Sequence, residues 1–149
     1  MNQKDELLRR ISIVLAILGI LVASYLTWTH YANTSIQCIG GSHGCDEVNQ
    51  SVFARVAGVP VALLGLLGYL AILGLLLIET RQGFLAENAP LLVFGCTLFG
   101  LAFSAYLTYL ELFVIHAICQ YCVASAVLMT GLFAISIYRV IKSTQQQPA

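Results

Sequence analysis

Two cysteines three residues apart, Cys119 and Cys122 in the stretch His116-Ala-Ile-Cys119-Gln-Tyr-Cys122, stand where a long apolar run begins. Such a pair closes into a disulfide, binds a metal, or carries electrons by cycling between dithiol and disulfide. At a helix N-terminus the positive end of the helix dipole favours a thiolate at the first cysteine. The second, one turn further in, points over the same face. Residues 123–141 are apolar, small or aromatic apart from Arg139, so the pair opens into membrane-thickness protein rather than into water.

A dithiol in that position needs a partner, and the chain carries a second pair, Cys38 and Cys45, in a glycine-rich segment that reads as a mobile loop. Thiolate attack on a disulfide passes the bond from one pair to another through a mixed disulfide. A mobile pair beside a fixed pair suits an electron relay, with soluble dithiols at one end and a lipid-soluble two-electron acceptor, a quinone, at the other. Two other readings stand beside it. Both pairs can be static disulfides stapling one end of a bundle, although Cys-x-x-Cys bridges are strained. Alternatively, Cys38, His43, Cys45, His116, Cys119 and Cys122 form a metal set, although six ligands exceed the four that zinc takes. The remaining cysteine, Cys96, sits mid-run and reads as a small buried hydrophobe. Glu111 is the one acid inside an apolar run and a candidate proton donor. Its place near the run's end equally suits a carboxylate that simply reaches water. His43 and His116 read as loop polarity.

The elements that position these residues follow from hydropathy. The chain is 59% hydrophobic and 9% charged, and its mean hydropathy is +0.87. A soluble domain carries about a quarter charged residues, so an all-α membrane protein is expected. With zero net charge and no basic patch, nucleic acid is excluded as a partner. Apolar runs at residues 11–28, 59–78, 91–115 and 119–141 predict four transmembrane helices in one domain over 1–149. The first run, preceded by basic residues, resembles a signal peptide, but its length and the lack of a nearby small-x-small site favour a retained span. Gly65, Gly68 and Gly74 are expected to let helices approach closely in the second run. Residues 79–88 read as a polar turn, and 142–149 as a frayed tail.

Between the first two runs, Asp46 is expected to cap a short interfacial helix carrying Val48, Val52, Phe53 and Val56, ended by Gly58. Four spans place both termini on one side. Lys4, Arg9, Arg10, Arg81, Arg139 and Lys142 fall there, with only Arg55 opposite, so that side is predicted to be cytoplasmic. Both cysteine pairs then meet on the extracytoplasmic side, where disulfides persist.

Taken in order, several motifs resemble those of the vitamin K epoxide reductase family, in its bacterial form without a fused thioredoxin-like domain. They are Cys38-x6-Cys45, Cys45-Asp46-Glu47-Val48 leading to Ser51, Gly58-Val59-Pro60, Tyr106-Leu-Thr-Tyr-Leu-Glu111 and Cys119-Gln-Tyr-Cys122. The resemblance runs over about residues 11–141 and implies a four-helix bundle around a quinone (ubiquinone or menaquinone). It implies that Cys38 exchanges with a separate DsbA-like thioredoxin-fold protein, that Cys45 passes the bond to Cys119, and that Cys122 is the thiolate facing the quinone. Ser51 matches a family position near the quinone pocket. The DsbB family performs the same task with its two cysteine pairs in the reverse order, which argues against it.

One departure bears on substrate. The vertebrate enzymes carry a tyrosine four residues after the second active-site cysteine, where this chain has Ala126. A plain quinone is therefore favoured over vitamin K epoxide. The expectation is a membrane thiol–quinone oxidoreductase driving disulfide formation at a bacterial inner membrane. The alternatives are reduction of vitamin K quinone or its epoxide by the same cysteines, and a non-enzymatic metal-binding assembly factor.

Overall fold

A computed structural model describes residues 3–34, 47–48, 50–52 and 55–146. Four long helices dominate it: α1 (Gln3–Ala32), α2 (Val61–Ile78), α3 (Phe84–Leu110) and α4 (Gln120–Gln146). Each is long and apolar enough to cross a membrane, as the sequence predicts. α1 packs on α2 and α4, and α3 packs on the same two, so the helices form a ring with α1 and α3 on its diagonal. Large apolar side chains such as Leu21, Leu67, Phe99 and Val127 cover the outside, where lipid is the solvent.

All four helices differ in their bounds from the bare apolar runs, and at α1 and α4 the difference lies where charges find partners. α1 begins at Gln3 rather than 11. Its acidic first turn, Asp5 and Glu6, suits the helix dipole, and Arg10 bonds Glu6 at 2.7 Å one turn away. α4 continues past 141 because Lys142 pairs with Asp5 at 2.9 Å, while Ser143 and Thr144 donate to the Val140 carbonyl. The expected frayed tail is thus helical through Gln146. Arg139 and Glu79 form an ion pair, both side chains under a tenth exposed, that joins α4 to the end of α2.

α3 starts at Phe84, not 91, so only a short turn, rather than ten polar residues, links it to α2. Glu87 N–H already bonds the Gly83 carbonyl at 3.1 Å, and Glu87 itself favours a helix start. Pro90 is carried within the helix, its ring facing no continuing demand for an N–H beyond one lost bond. α2 starts at Val61, with Pro60 as its N-cap in extended conformation.

The predicted interfacial helix is only partly present. Glu47, Val48 and Gln50 are helical, but residues 55–60 are not. Arg55–Val56 (β1) and Val59–Pro60 (β2) instead pair antiparallel around Ala57 and Gly58, both at positive φ (54° and 84°). This is the turn a two-residue hairpin demands, so Gly58 serves a tight reversal rather than ending a helix. Arg55 Nε lies 3.2 Å from His30 Nε2, which ties the hairpin to the end of α1. Asp46 and Phe53 lie outside the described residues.

Close helix approach falls elsewhere than expected. Gly65, Gly68 and Gly74 have no atom within 4 Å of an added Cβ, and the first two border a cavity. The close contacts are at Gly19 of α1, where a Cβ would lie 2.3 Å from the Tyr69 ring, and at Gly100 of α3, where it would lie 2.7 Å from the end of Met129. α1 buries a run of mostly small residues, Ser12, Ala16, Gly19, Ala23, Leu26 and Thr29, which lets α2 lie close.

Candidate functional site

At the end of α3 the helix widens. Residues Glu111–Ile115 form a π-helical turn, closed by His116 in the left-handed conformation (φ 57°, ψ 30°) and by a 3.2 Å bond from Ala117 N–H to the Glu111 carbonyl. π turns commonly mark functional sites. This one turns Glu111 inward. The carboxylate is 4% exposed, which corrects the expectation that it reaches water. His116 is exposed, and its contribution here is the backbone turn.

That turn aims Glu111 at the start of α4. Glu111 Oε2 accepts the Cys119 backbone N–H at 3.3 Å, satisfying one of the amides a helix start leaves unpaired. Val123 N–H bonds the Cys119 carbonyl at 3.0 Å, so Cys119 sits at the helix entrance. Cys119, Cys122 and Cys96 are free thiols. The Cys122 side chain lies within hydrogen-bond reach of both the Cys119 sulfur and the Glu111 carboxylate.

The Cys119 thiol is held below the ordinary thiol range. The Cys122 thiol bonding to its sulfur is the main cause, and the backbone amides of Cys122 and Tyr121 add to it. Burial and the nearby Glu111 charge oppose these, and lose. The first cysteine is thus the thiolate-prone one, in line with the helix-dipole reading.

The two cysteines face different surroundings. Cys119 is fully buried, in a cluster with Leu26, Val48 and Ala117. Cys122 is half-buried and forms part of the wall of a cavity of about 400 Å³. That cavity is enclosed mainly by apolar side chains of all four helices, such as Val22, Ala62, Phe103 and Met129. Its size falls within the range of about 300–1,000 Å³ usual for small-molecule sites. The few polar groups on its wall include Glu111, Cys122, Ser125, Tyr69 and Ser51.

Of the residues singled out in the sequence, Glu111, Cys119, Cys122 and Ser51 therefore converge. Ser51 borders the cavity with its hydroxyl donating to the Val48 carbonyl at 2.8 Å. Cys96, expected to be a plain buried hydrophobe, is half-buried on the same cavity wall. Cys38, His43 and Cys45 lie outside the described residues, although Val48, three residues after Cys45, packs in the cluster around Cys119. Sequence reasoning missed Tyr69 and Ser125. Ser125 was within reach of it, since a residue three beyond Cys122 shares its helical face.

The sequence has counterparts among known proteins. The chain is 31% identical over 133 residues, 85% of its length, to a protein of Arabidopsis thaliana named thiol-disulfide oxidoreductase LTO1. It spans 35% of that relative's length. The sequence profile of the vitamin K epoxide reductase family matches residues 10–137. This four-helix membrane protein belongs to the vitamin K epoxide reductase family.

Proposed function

We propose that the protein is a membrane thiol–quinone oxidoreductase that reoxidises a DsbA-like thioredoxin-fold protein and so drives disulfide formation. The observation that carries this reading is the Cys122 thiol in the wall of an apolar cavity, within reach of Cys119 on one side and Glu111 on the other. The cavity suits a quinone in size and in apolar lining, with polar groups grouped near the dithiol. The relative's name, thiol-disulfide oxidoreductase, supports the thiol half of the reaction.

A bound quinone supplies an acceptor for two electrons and two protons. The chain supplies the rest. Closing the Cys119–Cys122 bond releases two electrons and two thiol protons, so the exchange balances. Cys122, in the cavity wall, is the sulfur that hands on the electrons. Cys119, thiolate-prone at the helix entrance, is the sulfur that closes the bond onto it. Glu111, touching Cys122 and bordering the cavity, holds the proton that leaves the thiol. The apolar wall keeps water away from this transfer.

In this reading Cys38 and Cys45 are the outer pair. Cys38 exchanges with the soluble partner, and the Cys45 thiolate attacks Cys119 of the inner disulfide, so the bond moves outward to Cys38–Cys45 and two electrons move inward to Cys119–Cys122. The whole chain acts as one domain in a bacterial cytoplasmic membrane, with both termini cytoplasmic and the cysteines on the opposite face. Ubiquinone and menaquinone both meet the chemistry.

Steady-state turnover with a small dithiol and with a reduced thioredoxin-fold protein tests the scheme. Cys122→Ser abolishes quinone reduction with either donor. Cys38→Ser spares the small dithiol and stops the protein donor. Equal loss with both donors would refute the proposed order of the cysteines.

A further inference from the structure

The polar groups of the cavity lie on both sides of Cys122 along α4. Glu111 stands at the helix entrance. Ser125 stands three residues further in, roughly 4.5 Å along the axis and on the same face. The Ser125 hydroxyl is not alone. Tyr69 Oη donates to the Ser125 carbonyl at 2.8 Å and lies 2.9 Å from Ser125 Oγ, where either oxygen can donate. Tyr69 is 1% exposed, and its ring rests against Gly19 with no room for a Cβ. Ser125 is half-buried and, like Tyr69, borders the cavity.

The hydrogens of this pair can be counted. There are two hydroxyl donors, and acceptor capacity is in surplus because a mid-helix carbonyl also has its own amide. When Tyr69 donates to the Ser125 carbonyl, Ser125 donates to Tyr69. When Tyr69 turns its hydrogen to Ser125 Oγ, the Ser125 hydrogen is released into the cavity, where an oxygen of a bound ligand can accept it. The pair is a switchable donor that leaves no group unsatisfied once a ligand oxygen accepts the Ser125 hydrogen. Of the other hydroxyls on the wall, Thr108 donates to the Ser104 carbonyl and Ser51 to that of Val48.

We propose that Ser125 donates a hydrogen bond to a carbonyl oxygen of the quinone headgroup on the side of Cys122 away from Glu111, and that Tyr69 is the positioning residue that holds it. The inference rests on the oxidoreductase reading. A quinone ring carries carbonyl oxygens on opposite edges. One polar group on each side of the reacting sulfur orients such a ring, where a uniformly apolar wall would leave it free to turn. Gly19 keeps the Tyr69 ring fixed, so the hydroxyl returns to the same place.

Two readouts test this. The first is the rise in Tm produced by a short-chain ubiquinone or menaquinone analogue, which gives binding without turnover. The second is the KM for that quinone with a small dithiol as donor. Ser125→Ala and Tyr69→Phe are expected to raise the quinone Kd obtained from the Tm shift, and the quinone KM, by about 3- to 10-fold, the worth of one neutral hydrogen bond. Ser125→Thr keeps the hydroxyl and restores binding, and Thr130→Ala, one turn away on the lipid face, has no effect. The KM for the dithiol stays unchanged in all of them. Unchanged quinone affinity in Ser125→Ala and Tyr69→Phe, with wild type binding and turning over, overturns this inference alone. Wild type that neither binds nor reduces either quinone overturns the oxidoreductase reading, and this inference with it.

Discussion

Glu111 and Cys119 are joined across the turn between two membrane helices: the carboxylate of one accepts the backbone N–H of the other at 3.3 Å. The bond does two things. It caps α4 at its positive end, which a carboxylate does better than any neutral group. It also fixes Glu111 beside the Cys122 thiol, so the acid that holds the helix also touches the sulfur in the cavity wall. A purely structural cap would need only the first contact.

The two duties can be separated by substitution. Glu111→Gln retains an oxygen for the Cys119 amide but loses the carboxylate's capacity to take a proton. It is expected to unfold within a few degrees of wild type yet to lower quinone reduction by roughly 100-fold, at the lower end of general acid–base effects. Glu111→Ala loses the cap as well, with a stability cost of about 1 kcal/mol. Turnover that survives intact in Glu111→Gln would reduce this residue to a cap.

Cys119 carries a pH signature. Its acidity is raised above that of an ordinary thiol, whose pKa is about 8.5, mainly by the Cys122 thiol bonding to its sulfur. A depressed value means that thiolate persists as pH falls below that figure and is lost only at lower pH. The pH profile for alkylation of Cys119 by a small reagent should therefore have its midpoint below that of a free thiol. Cys122→Ala removes the largest cause and should move the midpoint upward. A wild-type midpoint at or above the free-thiol value would contradict the assignment.

Packing gives a test independent of redox chemistry. Gly19→Ala places a methyl 2.3 Å from the Tyr69 ring, which is fully buried. Overpacking of this kind costs about 1–3 kcal/mol. Gly74→Ala meets no atom within 4 Å and should be neutral or slightly stabilising, because alanine favours helix by up to about 1 kcal/mol. Thermal unfolding in detergent of both variants checks the pair. Equal behaviour would mean that α1 and α2 do not approach as described.

The helices were legible in the sequence because membrane spans announce themselves by unbroken apolarity. Their ends were not, since apolarity says nothing of where a charge finds a partner. Lys142 and Asp5, far apart in sequence, extend two helices at once. Glycines at close spacing suggest close approach in α2, yet the observed contacts are at Gly19, opposite Tyr69, and at Gly100, opposite Met129, while Gly65 and Gly68 face a cavity. That distinction needs the neighbouring helix. Glu111 was visible as an acid in an apolar run, but its burial depends on a π turn that hydropathy cannot reveal. The Cys119–Cys122 spacing did identify the helix entrance, and the thiolate preference of the first cysteine agrees with that position, although its main cause is the Cys122 thiol beside it. The Tyr69–Ser125 pair joins residues on two helices and had no local signal.

The most direct measurement is an anaerobic single turnover of the Cys38→Ser, Cys45→Ser double variant, fully reduced and mixed with excess short-chain quinone. The account predicts one quinol formed per chain, with loss of the two thiols of Cys119 and Cys122, and none when Cys122→Ser is added. Folded protein that keeps both thiols and forms no quinol would contradict the central claim that this dithiol discharges its electrons into the cavity.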